Sequence, residues 1–293
     1  MTILQRYFSK LNNLILLIVV LAFLFRIWGI WNVDTTDEYN EVLEALRVCS
    51  GHLNYERWIK RFYCYILAFE YGIFYLVGWL AGTFSSPLEF ATKIVRDMQP
   101  LFLLGRLTSV LAGTLSIVTL FRIGEKFFDR TTALTASILL TFTVFHIDLS
   151  QQAKVDALLG LLVTISLFFI IKLSAAEAIH SRDLAYCAFF TALAIQTKPN
   201  SIALVAPLCL LFVTKFQILR KNLASYTLIF TLFFVAGLII GNPPILFAPH
   251  KFASALFNLS SVYTTAVNLK HCAKSSRLPT KPQWVSFWRR ARV

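Results

Sequence analysis

Charge is what this chain has least of. Only 15% of its 293 residues are charged, against 57% hydrophobic, and the mean hydropathy is +0.66. So few ionisable groups exclude an ordinary water-soluble domain, and several apolar runs approach the roughly 20 residues that a helix needs to cross a bilayer. The five cysteines (Cys49, Cys64, Cys187, Cys209 and Cys272) have no metal-ligand spacing. Cys187 and Cys209 sit in apolar runs as small hydrophobes, and a Cys49–Cys64 disulfide on an oxidising face stays open. No repeat of fixed period and no low-complexity stretch before the tail stands out. The N-terminus carries Arg6 and Lys10 ahead of a long apolar run but no small-residue cleavage site, so it reads as a retained first helix and not a removed signal peptide. These traits describe an all-α, polytopic membrane helical bundle.

The charge that is present is unbalanced. Net charge is +13, from 28 basic and 15 acidic residues. In a soluble domain that balance would suggest nucleic acid. Here the basic residues fall mainly in short links between apolar runs and in the tail, so they read as topology signals and contacts to membrane lipids, with no nucleic-acid partner. Apolar runs at residues 11–30, 103–121, 131–147, 155–171, 184–197, 201–214 and 226–246 are expected as seven spans. The run at 65–83 is long enough to span, yet it carries Glu70 and interfacial tyrosines and tryptophan. If it does not cross, the links at Arg122–Arg130, Lys172–Arg182 and Lys215–Lys221 share the cytoplasm with the N-terminus, as the excess of basic residues in cytoplasmic loops requires. It is therefore expected as a juxtamembrane or re-entrant segment. Residues 1–250 then form a membrane core whose first outer loop, residues 32–105, is large and bears juxtamembrane helices, and residues 251–293 form an outer segment and basic tail. Compact loops point to a bacterial plasma membrane with the N-terminus in the cytoplasm.

One stretch concentrates acids at the membrane surface: WNVDTTDEYNEVLEALRVCSG, residues 31–51, with Asp34, Asp37 and Glu38. Ionisable groups held near hydrocarbon are functional candidates by default. The plain alternative is local: Thr35-x-x-Glu38 fits a capping box, acids favour a helix N-terminus, and Gly51 follows as a C-cap. Val42, Leu43, Ala45, Leu46 and Cys49 would give that helix an apolar side to lay on the membrane. The expected topology brings further charged residues to the same face. The second outer loop reads His146-Ile-Asp148-Leu-Ser-Gln-Gln-Ala-Lys154-Val-Asp156, and Thr197-Lys198-Pro199-Asn200 forms the third, where Pro199 ends a helix. Taken singly, Asp156 reads as an N-cap and Lys198 as a snorkelling lysine. Together they suit sugar transfer from a phosphate, which needs a carboxylate to take a proton and cations or a metal to neutralise the departing phosphate.

The run FRIWGIWNVDTTDEYNEVLEALRVCSG resembles the first-loop signature of membrane glycosyltransferases of the C superfold, the group that includes protein O-mannosyltransferases and lipid A aminoarabinose transferases. GRLTSVLAGTLSIVTLFRIGEKFFDRTTALTASILLTFTVFHIDLSQQAKVDALL and ALAIQTKPNSIALVAPLCLL are similar too, so the resemblance covers roughly residues 20–250. It implies an extracytoplasmic active site, a polyprenyl- or dolichyl-phosphate sugar as donor and an inverting displacement onto a lipid, glycan or protein. On the matching motifs, Asp37 is the catalytic base with Glu38 beside it, Asp156 is the second acid, and Lys198 lies near the donor phosphate with Lys154. A divalent ion is a candidate cofactor, with Asp37, Asp156 and His146 as its ligands. Relatives in such families usually continue further, and the tail NLKHCAKSSRLPTKPQWVSFWRRARV has the look of a truncated end. A transporter or flippase, or an inactive truncated transferase, is the alternative reading. Partner proteins, sugar and acceptor are not legible.

Overall fold

A computed structural model describes residues 3–31, 36–51, 62–250 and 254. Residues up to 249 form one compact unit. Asp34, Thr35 and nearly all of the tail lie outside the described residues.

The described residues form helices joined by short turns and links, without strands. The helices are α1 (Ile3–Ile27), α2 (Thr36–Cys49), α3 (Phe62–Leu80), α4 (Pro87–Arg96), α5 (Gln99–Phe127), α6 (Arg130–Phe142), α7 (Val144–Gln151), α8 (Val155–Ala175), α9 (Ser181–Thr197), α10 (Val205–Thr214), α11 (Phe216–Leu219) and α12 (Leu223–Gly241). Four of these stretches are long and apolar enough to cross a membrane: Phe62–Leu80, Gln99–Phe127, Val155–Ala175 and Phe216–Gly241. The pair α6 and α7 makes a fifth if its 60° bend is bridged. The polytopic helical bundle is thus present, while length and apolarity among the described residues support four or five spans where seven were expected.

The run expected as a juxtamembrane or re-entrant segment is one continuous 19-residue helix, α3, whose length and apolarity would also suit a span. Its Glu70 accepts a hydrogen bond from Thr108 of α5 through Oε1, while the buried Oε2 has no partner among the described residues. The expected span at 131–147 breaks at Thr143, whose extended backbone (φ −67°, ψ 107°) separates α6 from α7. The apolar side of α2 turns inward: Val42 and Ala45 are fully buried in one cluster with Tyr63, Cys64 and Leu67 of α3. Cys49 and Cys64 are not joined by a disulfide. Cys64 lies 3.3 Å from a Glu41 carboxylate oxygen, and Cys49 Sγ lies 3.5 Å from the Ala68 carbonyl.

The helix-end signals at Gly51 and Pro199 act as expected. Gly51 follows α2 in the left-handed region (φ 75°), where only glycine avoids a Cβ clash. Pro199 stops α9 after Thr197, leaving Lys198 extended. α4 begins at a Ser86 cap that accepts the Glu89 N–H. Lys93 and then Ser85 hold the Glu89 carboxyl down at about 2.

α5 is the axis of the bundle, packing against α1, α2, α3, α6, α7 and α8. Small residues let its neighbours approach, as is usual when helices pack within a membrane. At Gly105 a Cβ would stand 2.8 Å from that of Ala153, so the link between α7 and α8 can rest directly on the α5 backbone. That link positions the candidate site.

Candidate functional site

The site is built on four consecutive residues, Ala153 to Asp156, where the chain passes from α7 into α8. Helix ends leave backbone N–H groups without intrahelical partners, and residues distant in sequence are bonded to Ala153, Lys154 and Asp156.

Glu38 reaches this link from α2. Its side chain is 1% exposed and takes a two-pronged bond from Arg106 of α5, Nε to Oε1 at 2.9 Å and Nη2 to Oε2 at 3.1 Å. The same Oε1 accepts the Ala153 N–H at 2.7 Å. Arg106, itself 3% exposed, donates its remaining Nη1 to the Ile30 carbonyl at 2.7 Å. A carboxylate and a guanidinium matched in this way are shorter and stronger partners than neutral groups, and they join the end of α1 with α2, α5 and the link. Ser109 contacts the Lys154 carbonyl at 3.4 Å, and Tyr63 of α3 donates to the Gly105 carbonyl at 2.8 Å.

Asp37, the neighbour of Glu38, has the opposite surroundings. Its side chain is 78% exposed, and Lys154 Nζ stands 3.3 Å from Oδ2. Two residues further along the link, Asp156 Oδ1 lies 2.5 Å from Lys198 Nζ, with both side chains about a quarter exposed (26% and 25%). Asp156 lies in the first turn of α8, which Lys154 precedes without a side-chain cap bond. Lys198 follows the last residue of α9. Each charge thus sits where its helix dipole favours it. Asp156 is therefore a first-turn acid rather than an N-cap, and Lys198 has a carboxylate partner.

The structure thus brings Asp37, Glu38, Lys154, Asp156 and Lys198 to one link, as two accessible ion pairs beside a buried one. His146 and Asp148 are engaged elsewhere. His146 Nδ1 is 2.8 Å from Arg26 Nη2, and Asp148 accepts from Gln152 at 2.9 Å. Among the described residues no three His, Cys, Asp or Glu side chains are placed to share a metal ion. Asp37, Asp156 and His146, expected as ligands of one ion, are each bonded to a different cation.

Two buried residues escaped sequence reasoning: Arg106, which anchors the site, and Arg26, the partner of His146. Arg26 is fully buried, donating to the Ala22 carbonyl at 2.9 Å and the Leu140 carbonyl at 3.3 Å, and so joins α1 to the bent pair. Both arginines interrupt apolar runs, LAFLFRIWGI and LFLLGRLTSVL. An ionisable residue within such a run was the signal that could have found them.

Residues 88–240, just over half of the 293, match the protein family described as dolichyl-phosphate-mannose-protein mannosyltransferase. Comparison with curated proteins and with solved structures gave no match. The matched region takes in Arg106, the Ala153–Asp156 link and Lys198, together with the apolar helices that carry them. An integral membrane protein with this match belongs to the dolichyl-phosphate-mannose-protein mannosyltransferase family, a family of membrane glycosyltransferases that use lipid-phosphate sugars.

Proposed function

We propose that this chain transfers a sugar from a polyprenyl- or dolichyl-phosphate donor to an extracytoplasmic acceptor in a single inverting displacement. The observation that carries the reading is the convergence of Asp37, Lys154, Asp156 and Lys198 on one helix-to-helix link braced by the buried Glu38–Arg106 pair.

In this reading Asp37 is the catalytic base. It is the exposed carboxylate, held by one lysine, and so is accessible to an incoming hydroxyl or amine. The acceptor atom bonds to the anomeric carbon as the carbon–oxygen bond to phosphate breaks. The bonding pair leaves with the lipid phosphate, and the acceptor's proton passes to Asp37. Lys198 and Lys154 supply positive charge to the departing phosphate, a form of stabilisation that is worth most where water is scarce. Asp156 holds Lys198 in place. Glu38 is a positioning residue: with its oxygens on Arg106 and the Ala153 N–H it orients the link and leaves proton transfer to its neighbour. Among the described acids of the site Asp37 is the most exposed, while Glu38 and Asp156 are held by Arg106 and Lys198, which favours one displacement, and so inversion, over a covalent glycosyl-enzyme route.

With α3 kept at the outer surface and not crossing, the basic links gather with the N-terminus, which favours a cytoplasmic N-terminus and an outward-facing site, in a bacterial plasma membrane. The test is Asp37→Asn in membrane vesicles that supply the acceptor, with a radiolabelled polyprenyl-phosphate sugar as donor. Turnover should fall by about 10²–10⁴, with insertion and thermal stability unchanged. Wild-type turnover in the mutant would sink the assignment.

A further inference from the structure

The far end of α8 carries a second charged cluster that the transfer chemistry does not use. α8 leaves the site at its first turn and runs for 21 residues, about 30 Å at 1.5 Å per residue, which is the hydrocarbon thickness of a bilayer. Its other end, and the link of residues 176–180 into α9, therefore stand level with the headgroups of the opposite membrane surface. An open cavity of about 490 Å³ lies there, lined by Lys172, His180, Arg182 and Asp183.

The walls of this cavity are held in place. Lys172 Nζ meets the buried Asp183 carboxylate at 2.6 Å, latching the end of α8 to the start of α9. From the adjoining segments, Lys215 donates to the Ala176 carbonyl at 2.8 Å and Tyr226 to the Ile179 carbonyl at 3.2 Å. Because Lys172 and Asp183 cancel, the cavity keeps the charge of Arg182. His180 and Arg182 are both exposed, and neither forms an ion pair with a described residue. One helical turn deeper, aromatic rings repeat the arrangement. Phe169 lies three residues before Lys172, Tyr186 lies four after Arg182, and the two rings touch at 5.3 Å between centroids. Cations at the surface with aromatic rings one turn below match a phosphate above an acyl-glycerol body.

We propose that this cavity binds the headgroup phosphate of an anionic phospholipid in the leaflet opposite the catalytic end, with Arg182 and His180 as its ligands. Basic pockets between membrane helices at the headgroup level are suited to such lipids. The site is independent of the sugar-transfer reading and is tested without an activity assay.

The experiment is native mass spectrometry of the full chain released from phosphatidylcholine nanodiscs containing about one-fifth phosphatidylglycerol. Unmodified protein should retain phosphatidylglycerol in preference to phosphatidylcholine. The double variant His180→Ala/Arg182→Ala should lose that preference by at least about fivefold, since an arginine near a lipid surface is worth ~1 kcal/mol. Arg182→Lys should stay within about threefold, and Glu177→Gln, which removes an acid from the same link, should retain at least as much. Should the double variant fail to fold, raising salt to about 1 M, where the Debye length is about 3 Å, must release phosphatidylglycerol from unmodified protein. Equal retention of both lipids, a double variant that binds like the unmodified chain, or salt-insensitive binding each overturns the proposal. So does inorganic phosphate that binds in phosphatidylcholine-only discs and displaces phosphatidylglycerol, because the ligand would then be a free phosphate.

Discussion

Asp37 and Glu38 are adjacent in sequence and carry the same charge, yet one side chain is 78% exposed beside a single lysine and the other is 1% exposed in a two-pronged bond to Arg106. The difference arises because neighbouring residues on a helix point about 100° apart. The turn that aims Glu38 at α5 leaves Asp37 facing out. A buried ion pair contributes little net stability relative to a well-packed apolar pair, but removing one partner strands the other charge. An exposed pair contributes little either way, and its carboxylate stays free to react. One acid of the Asp-Glu pair thus suits architecture and the other chemistry.

The strongest way to break the comparison is from the buried side. Arg106→Ala leaves Glu38 without its cation and should cost about 3–5 kcal/mol of stability, seen as a large drop in the thermal midpoint in detergent, together with loss of transfer. Asp37→Asn, described above, should show the converse pattern, with turnover lost and the midpoint unchanged. If both variants failed in the same way, the two carboxylates would not have separate roles. Lys198→Met sharpens the contrast within the accessible group. It removes charge from the leaving phosphate and should lower turnover by about 10², and turnover within a factor of two of wild type would exclude Lys198 from the donor site. The smallest effect is expected at Lys154→Ala, whose partner is mostly solvated. Stability should change by no more than about 1 kcal/mol, and a larger loss of stability would mean that Lys154 braces the link instead of facing the phosphate.

Several features of the site were legible in the linear chain because they obey local rules. Asp37, Glu38, Asp156 and Lys198 stood out as charges beside apolar runs, and Gly51 and Pro199 mark helix ends where their backbone preferences require. Other features depended on contacts that no local pattern encodes. His146 looked like a metal ligand until α1 placed the Arg26 guanidinium on its ring. The apolar side of α2 looked ready for lipid until α3 covered it. The bend at Thr143 follows no proline or glycine, and α7 lies against α1 and α5 through contacts such as Gln151 to the Phe25 carbonyl at 3.0 Å. Arg106 was visible as an oddity in an apolar run, but nothing within about ten residues of it named Glu38, 68 positions away, as its partner.

By itself, then, the sequence determined the solvent and the class. Scarce charge and long apolar runs require a bilayer, a helix is the form that satisfies its own backbone there, and the order of the motifs carries the family. Tertiary structure alone decided which charges neutralise each other. Pairing depends on distances of a few ångströms between segments that are remote along the chain, and at that range the interior strengthens a matched pair and penalises an unmatched one. The close approach of Ala153 to Gly105 fixes the link on α5, with Glu38 buried against it and Asp37 exposed beside Lys154.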